Sequence, residues 1–66
     1  MKYYIVTMVY YGQRFLVRAD SKYKAEHKCI KALMEKGKGM FYAGRDFDVR
    51  EARPPRYEMK GDVVWL

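Results

Sequence analysis

The stretch MKYYIVTMVYYGQRFLVR, residues 1–18, decides the fold of this chain. Apolar and polar residues alternate on both sides of Gly12, which predicts a β-hairpin with strands at residues 2–10 and 14–19 and a turn at residues 11–13. Both faces of such a hairpin carry large apolar side chains. A single helix covers only one face, so the other needs the C-terminal tail, a second copy of the chain or a partner.

The length of the turn determines which residues share a face. A turn of two or four residues puts Phe15 and Val17 on the same face as Val6 and Met8, whereas a three-residue bulged turn exchanges the faces of the first strand. We adopt the first arrangement.

A helix is predicted at residues 22–36, KYKAEHKCIKALMEK, with Asp20 or Ser21 as its N-cap. Gly37 and Gly39 end this helix. Apolar residues at helical spacing form one stripe that we expect to pack on the Phe15 face of the hairpin: Ala25, Cys29, Ala32 and Leu33.

A third strand is predicted at residues 46–52, with Phe47 and Val49 inward and Asp48 and Arg50 outward. A right-handed crossover from the second strand sets it beside the first strand and produces the sheet order 2-1-3. Prolines 54 and 55 end the strand. The tail RYEMKGDVVWL is apolar at its end, which favours a short fourth strand.

The predicted fold is therefore α+β: a ββαβ unit with a three-stranded antiparallel-type sheet, a short fourth C-terminal strand and one helix on one face. Residues 1–66 form a single domain, with a ββαβ core at 1–53 and a tail at 54–66. A chain this short buries only about 60% of its unfolded surface, so its core is marginal alone. One cysteine and one histidine exclude an internal disulfide and disfavour a structural zinc. We therefore expect a homodimer or a partner.

The net charge of +6 favours an anionic partner: nucleic acid, a nucleotide or an acidic protein surface. The single cysteine, Cys29, and the absence of a signal-peptide pattern or a bilayer-spanning apolar run predict a cytoplasmic protein that does not enter a membrane.

Several positions form a pattern: Tyr-x-Val at residues 4–6, a glycine turn, Phe-x-Val-x-Ala-x-Ser at residues 15–21, an alanine-containing helix and Phe-x-Val at residues 47–49. This pattern resembles small ββαβ proteins encoded by bacteriophages and mobile elements, such as the DpnD/PcfM-like proteins. The resemblance implies a phage-type accessory protein without a catalytic site, acting in the host cytoplasm. Those proteins usually carry Glu in the first helical turn, where this chain has Lys22 and Lys24, so their partners do not carry over.

Two arrangements resemble catalytic or metal sites. His27 and Cys29 are two residues apart on a helix and point in different directions, so they cannot share a hydrogen bond as a base and a nucleophile. Asp46 and Asp48 share a strand face, but arginines flank them and no third carboxylate is close in sequence. We therefore predict no catalytic residue, no metal site and no cofactor.

Basic residues form the candidate anion site. The run GKGMFYAGR lacks the P-loop spacing, but it combines cations with aromatic rings, as phosphate-binding and base-stacking sites do. The helix adds a predicted basic stripe opposite the core. The candidate anion-binding or nucleic-acid-binding residues are Lys24, His27, Lys28, Lys31, Lys36, Lys38, Tyr42 and Arg45.

Apolar residues outside the predicted core form a candidate interface with a partner or a second copy. They lie on the outer face of the hairpin and on a second helical band, with Tyr and Arg among aliphatic residues as in interface hot spots. The interface candidates are Tyr3, Ile5, Val9, Tyr11, Arg14, Leu16, Arg18, Tyr23, Ile30 and Met34. We expect a non-enzymatic protein that docks on and modulates a host protein complex; the alternative is a basic module that binds nucleic acid or a nucleotide.

Overall fold

The computed structural model describes residues 1–10, 12–36 and 47–66. The elements are β1 at Lys2–Met8, β2 at Arg14–Ala19, α1 at Lys22–Glu35, β3 at Phe47–Ala52 and β4 at Val63–Trp65. The four strands form one sheet in the order β3-β1-β2-β4, and all neighbouring strands are antiparallel. The predicted α+β class, the 2-1-3 order and the short fourth strand are confirmed.

The hairpin has the four-residue turn. The Met8 amide donates to the Gln13 carbonyl and the Gly12 amide to the Met8 carbonyl, both at 2.8 Å, so the ladder closes at Met8 and Gln13, which four sequence positions separate. Val6 then faces Phe15 across the two strands. The predicted first strand was two residues too long, because the chain leaves the ladder after Met8. Gly12 has φ 71°, a left-handed conformation that glycine adopts without a steric penalty.

The core lies between the sheet and helix α1. Ser21 is the N-cap, and its hydroxyl accepts a hydrogen bond from the Lys24 amide at 3.2 Å. The predicted stripe is confirmed, since Ala25, Cys29 and Leu33 are buried and Ala32 is half-buried. These helical residues pack with one face of the sheet, whose buried members are Tyr4, Val6, Met8, Phe15, Val17, Ala19 and Phe47.

Strand β3 has the predicted orientation. Phe47 pairs with Met8 and Val49 with Val6, and both contact the helix-side core. Asp48 lies on the other face, where its carboxylate accepts a hydrogen bond from the Arg50 guanidinium at 2.8 Å.

The outer face of the sheet is partly covered by the chain itself. Leu16 is only 6% exposed although it points away from the helix, and Met59 is only 7% exposed. Neither belongs to the helix-side cluster. The connection that contains Met59 runs from β3 at one edge of the sheet to β4 at the other edge. The apolar end of the tail does not lie over the outer face, because residues 63–65 join the edge of the sheet as a strand.

Candidate binding groove between helix α1 and strand β4

An open groove of about 760 Å³ runs between the last turns of α1 and strand β4. The helix contributes one wall and the C-terminal segment the other. The lining residues are Lys28, Lys31, Ala32, Glu35, Lys36, Asp62, Val63 and Trp65.

Strand β4, which forms one wall of the groove, pairs with β2 along one side only. The Arg18 amide donates to the Asp62 carbonyl at 2.8 Å, and the Leu66 amide donates to the Arg14 carbonyl at 2.9 Å. Bonding directions alternate along an antiparallel strand, so the intervening Val63 and Trp65 turn their N–H and C=O groups away from β2. Among the described residues, no strand pairs with this outer side.

Trp65 is the largest apolar residue at the groove. Its ring meets Phe15 edge to face, with centroids 4.7 Å apart, and this contact anchors it to the core. The indole is nevertheless 37% exposed. The amine of Lys36, the residue that caps the end of α1, lies 5.3 Å from the centre of the indole ring, within cation–π range. A fixed aromatic ring beside a cation is typical of a binding surface.

Asp62 holds the three elements around the groove together. Its carboxylate accepts hydrogen bonds from Arg18 of β2 at 3.1 and 3.2 Å and from Lys28 of α1 at 3.0 Å. The Lys28 amine also donates to the Arg18 carbonyl at 2.8 Å. Hydrogen bonds from Lys28 first, and then from Arg18, hold the pKa of the Asp62 carboxyl below its usual value. This ion-pair network fixes the start of β4 against the helix.

The predicted basic stripe is wrong at Lys28, whereas Lys24, His27 and Lys31 are exposed on the helix. Lys28 is half-buried and bonded to Asp62 rather than lying opposite the core. Lys24 forms an ion pair with Asp20 at 3.6 Å, and the His27 ring contacts Tyr23 at 4.5 Å on the exposed side of the helix. Lys28, Lys31 and Lys36 line the groove. An anion-binding role for any of these residues stays a prediction.

The predicted interface residues do not form one surface. Tyr3, Ile5, Arg14 and Arg18 share the outer face with Leu16, but Leu16 is buried and Arg18 is bonded to Asp62. Val9 is exposed at the end of the hairpin. Tyr23 and Met34 are 69% and 61% exposed on the helix, whereas Ile30 packs against the core. Tyr11, Lys38, Tyr42, Arg45 and Asp46 lie outside the described residues, so the predicted loop site and the paired aspartates are not described.

Five groove residues were absent from the predicted sites: Ala32, Glu35, Asp62, Val63 and Trp65. Asp62 and Trp65 are the two that make the ion-pair network and the exposed ring. The segment GDVVW contained a signal for both. Its acidic residue directly precedes an apolar run in a basic chain, and that run contains the only tryptophan.

His27 and Cys29 lie on different sides of α1, since Cys29 is buried in the core and His27 is exposed. Burial first, and then the nearby charge of Glu26, raises the pKa of the Cys29 thiol to about 12. The thiol is therefore protonated and unreactive at neutral pH. Within residues 1–10, 12–36 and 47–66, no group of His, Cys, Asp and Glu could hold a metal ion, and no helix is long and apolar enough to cross a bilayer.

Comparisons of this chain with protein-family models, with curated protein sequences and with solved structures find no match.

Proposed function

We propose that this chain is a non-enzymatic binding protein that docks on another protein through the groove between α1 and β4. The observation that carries the proposal is Trp65, an aromatic ring fixed against the core yet 37% exposed, on an edge strand that has no second neighbour in the described part of the chain. Tryptophan is strongly enriched in the few interface residues that contribute most of the binding energy. The phage-type role, modulation or inhibition of a host protein complex, depends on the resemblance of residues 4–6, 15–25 and 47–49 to small phage-encoded ββαβ proteins.

Binding of nucleic acid is the second candidate, because three lysines line the groove together with an indole on which a base could stack. Two carboxylates in the groove weigh against nucleic-acid binding. Asp62 already neutralises Lys28, and Glu35 adds a second carboxylate. The remaining positive charge is small for a protein that binds phosphates tightly. A protein partner uses the aromatic and apolar surface as well as the charge.

Capture of partners from a bacterial lysate by the immobilised chain, with and without nuclease, tests the proposal. We expect one protein or complex to be retained after nuclease treatment, at both low and high salt. Trp65→Ala should lose it, whereas Tyr57→Ala, which removes an exposed aromatic ring outside the groove, should keep it. Lys31→Glu, at an exposed position that forms no ion pair with any described residue, should weaken capture without disturbing the fold.

A complex that is lost with nuclease, and whose affinity falls steeply with salt, would establish the nucleic-acid function instead. Equal retention by the wild type, Trp65→Ala and Lys31→Glu would show that the partner uses another surface.

A further inference from the structure

We infer that the groove binds an acidic, extended segment of the partner, which adds to strand β4 as a fifth strand of the sheet. This inference rests on the proposed function and names the chemistry of its partner. Three features carry it: the backbone groups of β4 that have no partner among the described residues, the position of Trp65 and the charge of the groove wall.

The backbone of β4 supplies the pairing edge. Val63 and Trp65 direct two N–H donors and two C=O acceptors away from β2, at the spacing of an antiparallel ladder. An added polypeptide strand satisfies both kinds of group, and proteins bind extended peptides in this way at open sheet edges. A sugar–phosphate backbone has acceptors but lacks the regular amide donors that the two carbonyls require.

Side chains next to this edge select the added segment. Val63 and Trp65 lie on the helix side of the sheet, so alternate side chains of a fifth strand would extend towards the last turns of α1. Apolar side chains at these positions would contact the exposed part of the indole. The segment therefore needs an alternating pattern with apolar residues facing the groove.

The charge of the groove wall favours carboxylates. Lys31 and Lys36 have no carboxylate partner among the described residues, and Lys28 neutralises Asp62 together with Arg18. Glu35 is the opposing charge, so the free cations outnumber the free anions by one at this wall. An acidic segment is attracted to the wall, which agrees with the net charge of +6.

The same lysines disfavour pairing of β4 with β4 of a second copy. Such a pair would bring Lys31 and Lys36 of the two copies towards each other along one extended sheet, and like charges in contact oppose association. Charged residues beside an exposed strand also protect natural sheets against edge-to-edge aggregation. The groove thus discourages a second copy of this chain and accepts a strand of opposite charge.

A short capped peptide that alternates Glu with Val or Thr is the probe, and a peptide with Lys in place of Glu is its control. Trp65 is the only tryptophan, so its fluorescence reports on the groove without a label. We expect the acidic peptide to change this fluorescence with saturation and to slow hydrogen exchange of the Val63 and Trp65 amides. Lys31→Glu and Lys36→Glu should each weaken binding about tenfold, whereas Lys22→Glu, outside the groove, should have little effect. Alternate amides of a strand point to opposite sides. N-methylation of one alternating set of peptide amides should therefore prevent binding, whereas N-methylation of the other set should not.

Several results would overturn the inference. With the acidic peptide, these are the absence of a fluorescence change up to millimolar concentration and binding that leaves the Val63 and Trp65 amides unprotected from hydrogen exchange. With other ligands, they are equal binding of the basic peptide and a response to single-stranded DNA in place of the acidic peptide. Protection of the two amides by self-association of the chain is the last. If capture of a protein partner still depends on Trp65 in any of these cases, the proposed function stands and only the strand-addition mode is wrong. If the acidic peptide does not bind and capture of a partner does not depend on Trp65, both the strand-addition mode and the proposed function are wrong.

Discussion

The amine of Lys28 lies 3.0 Å from a carboxylate oxygen of Asp62, and this contact joins helix α1 to the start of β4 across 34 positions of sequence. The same carboxylate binds Arg18 of β2. One side chain therefore links the helix, an inner strand and the edge strand that forms the candidate groove.

Replacement of Asp62 should loosen β4. Asp62→Asn removes the charge from a partly exposed network, so we expect the free energy of unfolding to fall by about 1 kcal/mol. Urea denaturation measures this change, and hydrogen exchange at Leu66 should become faster. Asp48→Asn is the matched control, because its ion pair with Arg50 joins two residues of one strand. An equal loss in both variants would contradict a special role for Asp62.

Acid should remove the contribution of Asp62 to the free energy of unfolding. Its pKa is lowered in the folded protein, so its stabilisation is present above the unfolded pKa of about 3.9 and is lost as the pH falls through the lower folded value. The stability curves of the wild type and Asp62→Asn should therefore differ at neutral pH and converge below about pH 4. Denaturation at several pH values measures this. A constant difference down to strongly acidic pH would contradict the assignment.

Alkali should reduce the stability difference between the wild type and Cys29→Ala. The folded pKa of Cys29 is raised to about 12, so the contribution of the neutral thiol is present below the unfolded pKa of 9.0 and is lost as the pH rises above it. At about pH 10 the advantage of the wild type should have fallen by about 1 kcal/mol. The native thiol should also resist a disulfide reagent at neutral pH, and rapid labelling would contradict its burial.

Replacement of Gly12 should cost more stability than replacement of Gly61, although both glycines have open surroundings. A methyl group added at Gly12 or at Gly61 would meet no atom within 4 Å, but only Gly12 has φ +71°. Gly12→Ala should therefore cost about 1 kcal/mol of stability, whereas Gly61→Ala should be neutral or slightly stabilising. Thermal unfolding of the two variants provides the comparison, and equal melting temperatures would contradict the left-handed conformation of Gly12.

Leu16→Glu should unfold the chain rather than only dissociate it, because it puts an unpaired charge at a buried position. We expect a loss of more than about 3 kcal/mol, visible as loss of circular dichroism at every protein concentration. Arg14→Glu, at an exposed position of the same strand face, is the control.

The expected homodimer stays a separate prediction, which light scattering over a dilution series tests; a monomer mass at all concentrations would contradict it.

Local patterns in the sequence determined the elements and the faces. The two-residue alternation around Gly12 and the helical recurrence of Ala25, Cys29 and Leu33 specified which side chains enter the core. Such patterns are sufficient because the burial of apolar side chains depends on their spacing within one strand or helix. The sheet order followed from the handedness of the crossover, which is a general property of polypeptide chains.

Only the tertiary structure decided the length of the hairpin turn, the cover over Leu16 and the groove beside β4. The partners of Asp62 lie in two other elements, and periodicity within an element carries no information about such distant pairs. The open edge depends on the pairing of β4 with β2, which sets the direction of the Val63 and Trp65 backbone groups. Local spacing thus determined the core of this protein, whereas contacts between segments far apart in sequence determined its candidate binding site.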